Sequence, residues 1–373
     1  MKYKLFLLYG FLHTLKYPSL LKESIKSIYS KKMFDDKKHL RLACDWLLYM
    51  QNSDGGYARK FSFINKRDKS YIETTGYIIP SMIKAGEFLD EQRYVDSALK
   101  AGKWLLKVQN KDGSFSEIDS NKPYAFDTGQ CLDGLLFLYD FTKDRTFLEA
   151  SKRASYWLME HQEDDGSWQK VAYNEQKHTY YSKVASAMYK YSLKENDEVI
   201  KEASLKHIRW VLQNQKQNGF FRYASFLENT PAYLHTMIYI LEGLLDIYED
   251  SFDKTILSAI LKNSEKLKSK NLLCSFYDED FNCKSKEFCM TGLAQWAVVC
   301  LRLYDITKDK EYMDKAKDTI SFLKKKQLKN SFMKGGFSAS VPFWGRYGAF
   351  DFVNWTNKYF IDAMLLYMKK ERS

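Results

Sequence analysis

Apolar residues recur at intervals of three and four ahead of a series of tryptophans, as in Tyr94, Ala98, Ala101, Leu105 and Val108 before and around Trp104. That spacing predicts amphipathic helices with one buried face. A second set of segments is apolar on most sides: Ile78–Phe88, Leu132–Phe141, Val184–Leu193, Met237–Tyr248, Leu293–Tyr304 and Tyr359–Tyr367. Helices of that kind belong inside a fold. No strand-like alternation of any length competes.

The amphipathic segments share wording as well as period. Trp46, Trp104, Trp157 and Trp210 are each followed five residues on by Gln, nine on by Gly and eleven on by an aromatic residue, with Asp or Asn directly before the glycine. Phe322 opens a further copy with Gln327 and Gly335-Gly336-Phe337, and a degenerate copy is expected near Leu267. The period is about 55 residues, the signature of stacked helix pairs. The Asx-Gly pair is expected to cap each amphipathic helix at its C-terminus. Six outer and six inner helices predict an all-α (α/α)6 toroid over residues 37–373, preceded by a helical extension over 1–36; an open helical solenoid is the alternative architecture.

Composition narrows the function. A chain of 373 residues with 45% hydrophobic and 16% aromatic content sustains a large core. The longest apolar run, Leu5–Leu12, is far short of the roughly 20 residues that span a bilayer. Lys2 and Lys4 ahead of that run give it the look of a signal peptide, but no small-residue cleavage site follows. It is expected to be a helix that packs on the toroid, or one that docks to a membrane or an assembly complex, in a cytoplasmic protein. The formal net charge of +11 favours an acidic partner; with no zinc-finger or RNP-type motif, nucleic acid is not expected. The six cysteines (44, 131, 274, 283, 289 and 300) lack metal spacing and are expected as buried free thiols, with no metal or cofactor.

Polar residues cluster where the inner helices begin. Thr75, Thr128 and Thr291 are expected as N-caps. Capping leaves unexplained why Glu73, Tyr77, Gln130, Tyr181, Lys183, Tyr233, His235, Gln295, Asn354, Trp355 and Lys358 gather at the same end. Six positive helix ends aimed at one funnel favour an anionic ligand. An acidic oligo- or polysaccharide is expected there, held by Arg346, Lys358 and Lys183 with stacking aromatics that include Tyr347. His235 and Tyr239, one helical turn apart, form a candidate proton-transfer pair for epimerisation or β-elimination at a uronate. Glu73 and Asp127 are the alternative, as acid and base of glycoside hydrolysis. A prenyl-type lipid substrate and a non-catalytic scaffold are the competing roles.

The turn Gln-x-x-Asp-Gly-x-aromatic resembles the repeat of terpenoid-cyclase and protein-prenyltransferase toroids. The phrases YIETTGYIIP, FDTGQCLDGLL, LHTMIYILEGLL, CMTGLAQWAVVCLRLYDIT and GRYGAFDFVNWTNKYFIDAMLLY resemble the VpsJ-type polysaccharide-biosynthesis family. That resemblance implies a role in capsule, exopolysaccharide or O-antigen assembly. Tyr233-Leu234-His235-Thr236 resembles, with Leu234 inserted, the Tyr-His-Thr phrase in the helical domain of glucuronyl C5-epimerases. The Asp-x-Asp-Asp acid of class II terpene cyclases has its nearest counterpart in Asp278-Glu279-Asp280-Phe281, which lacks the last Asp.

Overall fold

A computed structural model describes residues 2–117 and 119–371. Two helices, α1 (Lys2–Thr14) and α2 (Pro18–Tyr29), precede the repeats. The outer helices are α3 (Asp36–Met50), α5 (Gln92–Val108), α7 (Arg145–Glu160), α9 (Glu198–Gln213), α11 (Lys254–Lys268) and α13 (Lys310–Lys326). Alternating with them are the inner helices α4 (Ile72–Leu89), α6 (Ala125–Thr142), α8 (Ser182–Glu195), α10 (Leu234–Ser251), α12 (Met290–Thr307) and α14 (Asn354–Lys370). Each inner helix packs on the next, and α14 returns to α4, so the ring is closed and the solenoid alternative is excluded. The fold is an all-α toroid.

The sequence repeat and the packing pair are out of phase. Of the outer helices, each inner helix packs most extensively on the one that follows it, α4 on α5 through to α12 on α13, because one left-handed residue (Asp90, Lys143, Asn196, Phe252 or Lys308) reverses the chain between them. The sixth pair joins α14 to α3, from opposite ends of the chain. There Asn354 accepts from the Trp46 indole at 3.0 Å and donates to the Ala58 carbonyl. Buried rings such as Trp46 and Trp168 anchor the core; truncating one of this kind costs about 3–5 kcal/mol.

The repeated glutamine and glycine do different work from the expected capping. The outer helices end one or two residues before the glutamine, which stands four residues ahead of the glycine, or eight in the last copy. The Gln51, Gln109, Gln162, Gln215 and Gln327 amides each donate both to the carbonyl of their own repeat's glycine and to a backbone carbonyl of the adjacent outer helix. Gly335 adopts φ +93°, and a Cβ there would sit 1.9 Å from the Leu42 carbonyl oxygen, so the turn rests directly on the neighbouring helix. The threonines are corrected too. Tyr71, Tyr124 and Cys289 occupy the N-cap positions. Thr75 and Thr128 lie inside their helices and accept the amides of Tyr57 and Phe115, the aromatic residues of the preceding turns, while Thr291 pairs with Thr356.

Short ladders without sequence periodicity collar the end where the inner helices start: β1 (Lys60–Ser62) with β2 (Lys66–Arg67) and β7 (Asp351–Val353), β3 (Ala232–Tyr233) with β4 (Phe276–Tyr277), and β5 (Phe288–Cys289) with β6 (Ser340–Val341). In the β4 loop Cys274 and Cys283 form a disulfide, so these two are not the free thiols expected; Cys44, Cys131, Cys289 and Cys300 are free and buried. No described helix is long and apolar enough to cross a membrane, and the described residues hold no cluster with metal-ligand character.

Candidate active site

A cavity of about 320 Å³ opens at the collared end. It is at the small end of the range for ligand sites. Glu73 and Asp127 reach it from the first turns of α4 and α6, and His235, Thr236 and Tyr239 from the start of α10. Trp355 enters from α14, and Tyr347 from the loop between β6 and β7. Tyr71, Tyr124, Phe126, Tyr173, Tyr180, Tyr181 and Phe226 complete an aromatic wall that has no aliphatic side chain among the described residues. Arg59 and Glu117 stand in loops beyond the repeat turns. All four residues expected to carry chemistry, Glu73, Asp127, His235 and Tyr239, therefore line one cavity.

Burial dominates the electrostatics. Desolvation pushes the Glu73 carboxyl up to about 7, with Arg59 and the Tyr71 hydroxyl opposing. Asp127 is raised well above the carboxylate range, first by burial and then by the charges of Glu73 and Glu117. The Tyr71 hydroxyl lies 3.5 Å from Asp127 Oδ2. Two neighbouring carboxyls in such a site do not both ionise readily, so the pair retains a proton near neutrality.

His235 is oriented through Gln295. Its Nδ1 lies 2.7 Å from Gln295 Oε1, and Gln295 Nε2 donates to Glu242 Oε2 at 3.1 Å. An amide nitrogen cannot accept, so the contact with Glu242 turns the Gln295 oxygen towards the imidazole. Nδ1 then carries the proton and Nε2 keeps its lone pair. Burial lowers His235 to about 4, leaving the ring neutral at pH 7. The Tyr239 ring is 4.5 Å away, centroid to centroid, and its buried hydroxyl faces that of Tyr359.

The expected cations are elsewhere. Helix α8 starts deep in the barrel, where Ser182 Oγ donates to the Tyr239 and Ile240 carbonyls, so Lys183 lies below the cavity floor and pairs with Asp246 at 2.8 Å. Lys358 runs down α14 to Asp362 at 2.9 Å, with its ammonium 3.8 Å from the Tyr359 ring centroid. Both line a separate cavity of about 620 Å³ at the opposite end, as does Tyr77. There, against the upward push of burial, Lys183, Lys190 and Arg302 hold Asp246 well below its usual range. Arg346 turns outward onto Glu287, the Lys284 carbonyl and the Phe276 ring. Arg59 is the one cation on the cavity lining among the described residues, and Asp68 (3.0 Å) and Glu117 (3.7 Å) already engage it.

The remaining expected contacts support the site from behind or lie off it. Gln295 orients His235, and Tyr233 packs on Tyr347 and Phe226. Gln130 is buried within α6 and does not line the cavity. Asn354 fastens α14 to α3 and the chain after it. Among the lining residues that sequence reading passed over, Tyr71 and Tyr124 had a signal: each is the helix-start tyrosine two or three places before an acid. Arg59, Glu117, Tyr173 and Phe226 come from loops with no pattern. Asp278-Glu279-Asp280 lies on the β4 loop, away from the central cavity; Asp278 and Glu279 line an outer groove instead.

Comparison with known proteins places this architecture. The family model for the squalene-hopene cyclase C-terminal domain matches residues 19–240. Sporulenol synthase of Bacillus subtilis (strain 168) is 30% identical over 155 residues, covering 36% of this chain but only 22% of that enzyme, so the chain spans about a fifth of its relative. Among solved structures, an unsaturated glucuronyl hydrolase specific for heparin superposes with a TM-score of 0.73 at 14% identity, covering 91% of this chain and 98% of the other. The cellobiose 2-epimerase of Bacillus thermoamylovorans B4167 gives 0.69 at 13% identity, over 90% and 99%. At these identities the likeness is one of fold.

Proposed function

The chain belongs to the squalene-hopene cyclase C-terminal domain family, and from the chemistry of its cavity we propose that it is an enzyme acting on a glycan rather than on a polyprenyl chain. The carboxyl pair Glu73–Asp127 carries this reading: two acids on successive inner helices, one near pH 7, in a chamber walled by tyrosines. Sugar rings stack on such walls, and among the described residues the wall has no Leu, Ile or Val to cradle an aliphatic chain. Glycosidic cleavage needs one protonated and one ionised carboxyl. Asp127, the more strongly raised of the two, donates its proton to the leaving oxygen; Glu73, once ionised, serves the anomeric carbon, directly or through water. Full coverage of sugar-processing toroids by the fold, and the resemblance of the inner-helix phrases to a surface-polysaccharide family, support glycan assembly or remodelling as the setting.

The chain Glu242–Gln295–His235 favours a second reading, proton abstraction from carbon by His235 Nε2 with Tyr239 returning the proton. At a uronate C5 the adjacent carboxylate would have to displace Glu117 from Arg59, because Lys183, Lys358 and Arg346 do not reach the cavity.

Oligosaccharides incubated in D2O and followed by NMR separate the two. Glycosidic cleavage releases new reducing ends, whereas epimerisation introduces deuterium at carbon and elimination creates an unsaturated 4,5-bond. Glu73→Gln is expected to abolish cleavage. Full activity in Glu73→Gln together with loss in His235→Ala would transfer the chemistry to the imidazole.

A further inference from the structure

Helix α1 is held on the toroid by one face only. Gly10 lies so close to Phe350 that a Cβ there would come 2.2 Å from the ring, and Phe11 packs edge-on to Phe350 at 5.2 Å. Tyr3 donates to the Trp344 carbonyl at 3.1 Å. These contacts fix the rotation of the helix. The face turned away carries Leu5, Leu8, Tyr9, Leu12 and Leu15, each 50–67% exposed. Their spacing forms one continuous stripe. Four large apolar side chains open to water on one short helix, with Leu15 directly after it, are more than a lone surface protein tolerates without a use.

The same N-terminal segment carries exposed charge of one sign. Lys4, Lys16, Lys22, Lys26, Lys31 and Lys32 are exposed, and none forms an ion pair among the described residues. The only acid before Asp35 is Glu23, which is buried and accepts the backbone amides of Lys329, Asn330 and Ser331. That buried carboxylate clamps α2 to the toroid and leaves the outward charge uniformly positive. An apolar stripe in a segment of exposed lysines without ion pairs complements a leaflet with anionic headgroups.

We propose that α1 and α2 dock this protein peripherally on an anionic bilayer, the stripe entering the headgroup boundary and the lysines meeting the lipid phosphates. The dock and the cavity share one loop: Phe343, Trp344 and Phe350 seat α1, while Tyr347 between them lines the cavity.

The test is flotation of the full chain with vesicles of phosphatidylcholine alone or mixed with phosphatidylglycerol, at low and high salt. Binding is expected only to the phosphatidylglycerol mixture, weakening as salt rises. The double variants Leu8→Asp/Leu12→Asp and Lys22→Glu/Lys26→Glu are each expected to reduce it at least about tenfold, with thermal melting unchanged. If the apolar variant melts early, the lysine variant, altered only at solvent-exposed positions, decides alone. Absence of binding to anionic vesicles, or equal binding by the lysine variant, overturns the proposal. So does sedimentation velocity showing a dimer that Leu8→Asp/Leu12→Asp dissociates, because the stripe would then be covered by a second copy.

Discussion

Glu73 holds its proton more tightly in the folded chain than a free carboxyl does, with its value moved from 4.5 to about 7 by burial. The folded state therefore binds the extra proton between those values, and stability falls as pH rises through about 7. Glu73→Gln removes the titration. The variant is expected to melt roughly 1–3 °C higher than the parent at pH 8, with no gain at pH 4; differential scanning calorimetry at the two pH values reads the difference. Activity is expected to show the mirror image, with kcat falling below about pH 7 as Glu73 takes up its proton, and Glu73→Gln lowering it by about 10²–10⁴. Glu73, Asp127, His235 and Tyr239 were legible because each opens a helix recognisable by its apolar run. Lys183 and Lys358 misled because a side chain's direction depends on the depth of its helix. Nothing local reveals that α8 begins a turn lower, or that Asp246 waits 63 residues on.

At the scale of elements, the glutamine of each turn acts as a staple between outer helices. Gln327 is the most enclosed of them, donating to the His39 and Gly335 carbonyls where the last outer helix meets the first. Gln327→Leu leaves two carbonyls unanswered and is expected to cost about 2–4 kcal/mol in urea denaturation. Gly335→Ala drives a methyl into the Leu42 carbonyl at a positive φ and is expected to cost at least about 3 kcal/mol. Sequence displayed these residues through their repetition, yet assigned the glycine to a helix cap. Its partner belongs to another repeat, and a repeat read alone does not show its neighbour. The collar strands were invisible for a related reason. Two- and three-residue ladders such as Phe288–Cys289 with Ser340–Val341 have no period to detect and are set by where the toroid brings loops together.

The whole molecule is a ring in which α14 packs on both α4 and α3. An open array of helix pairs unfolds piecemeal, each unit touching only its neighbours; a closed ring has no free end from which to fray. Far-UV circular dichroism and tryptophan fluorescence are accordingly expected to give one coincident urea transition, and separated midpoints would contradict closure as the source of cooperativity. One joint differs from the other five. Between α11 and α13 no glutamine bridges the helices; Lys268 reaches Asp309 at 2.6 Å and Glu311 at 3.3 Å, and Lys315 reaches the Lys270 carbonyl at 3.0 Å. Neutral amides are indifferent to dissolved ions, but ammonium–carboxylate contacts with half-exposed acids are screened by them. The toroid thus has a built-in parting line. In concentrated salt, amide exchange is expected to quicken first along α11 and α13, so the circle gives way at the place where its repeat was allowed to forget its own spelling.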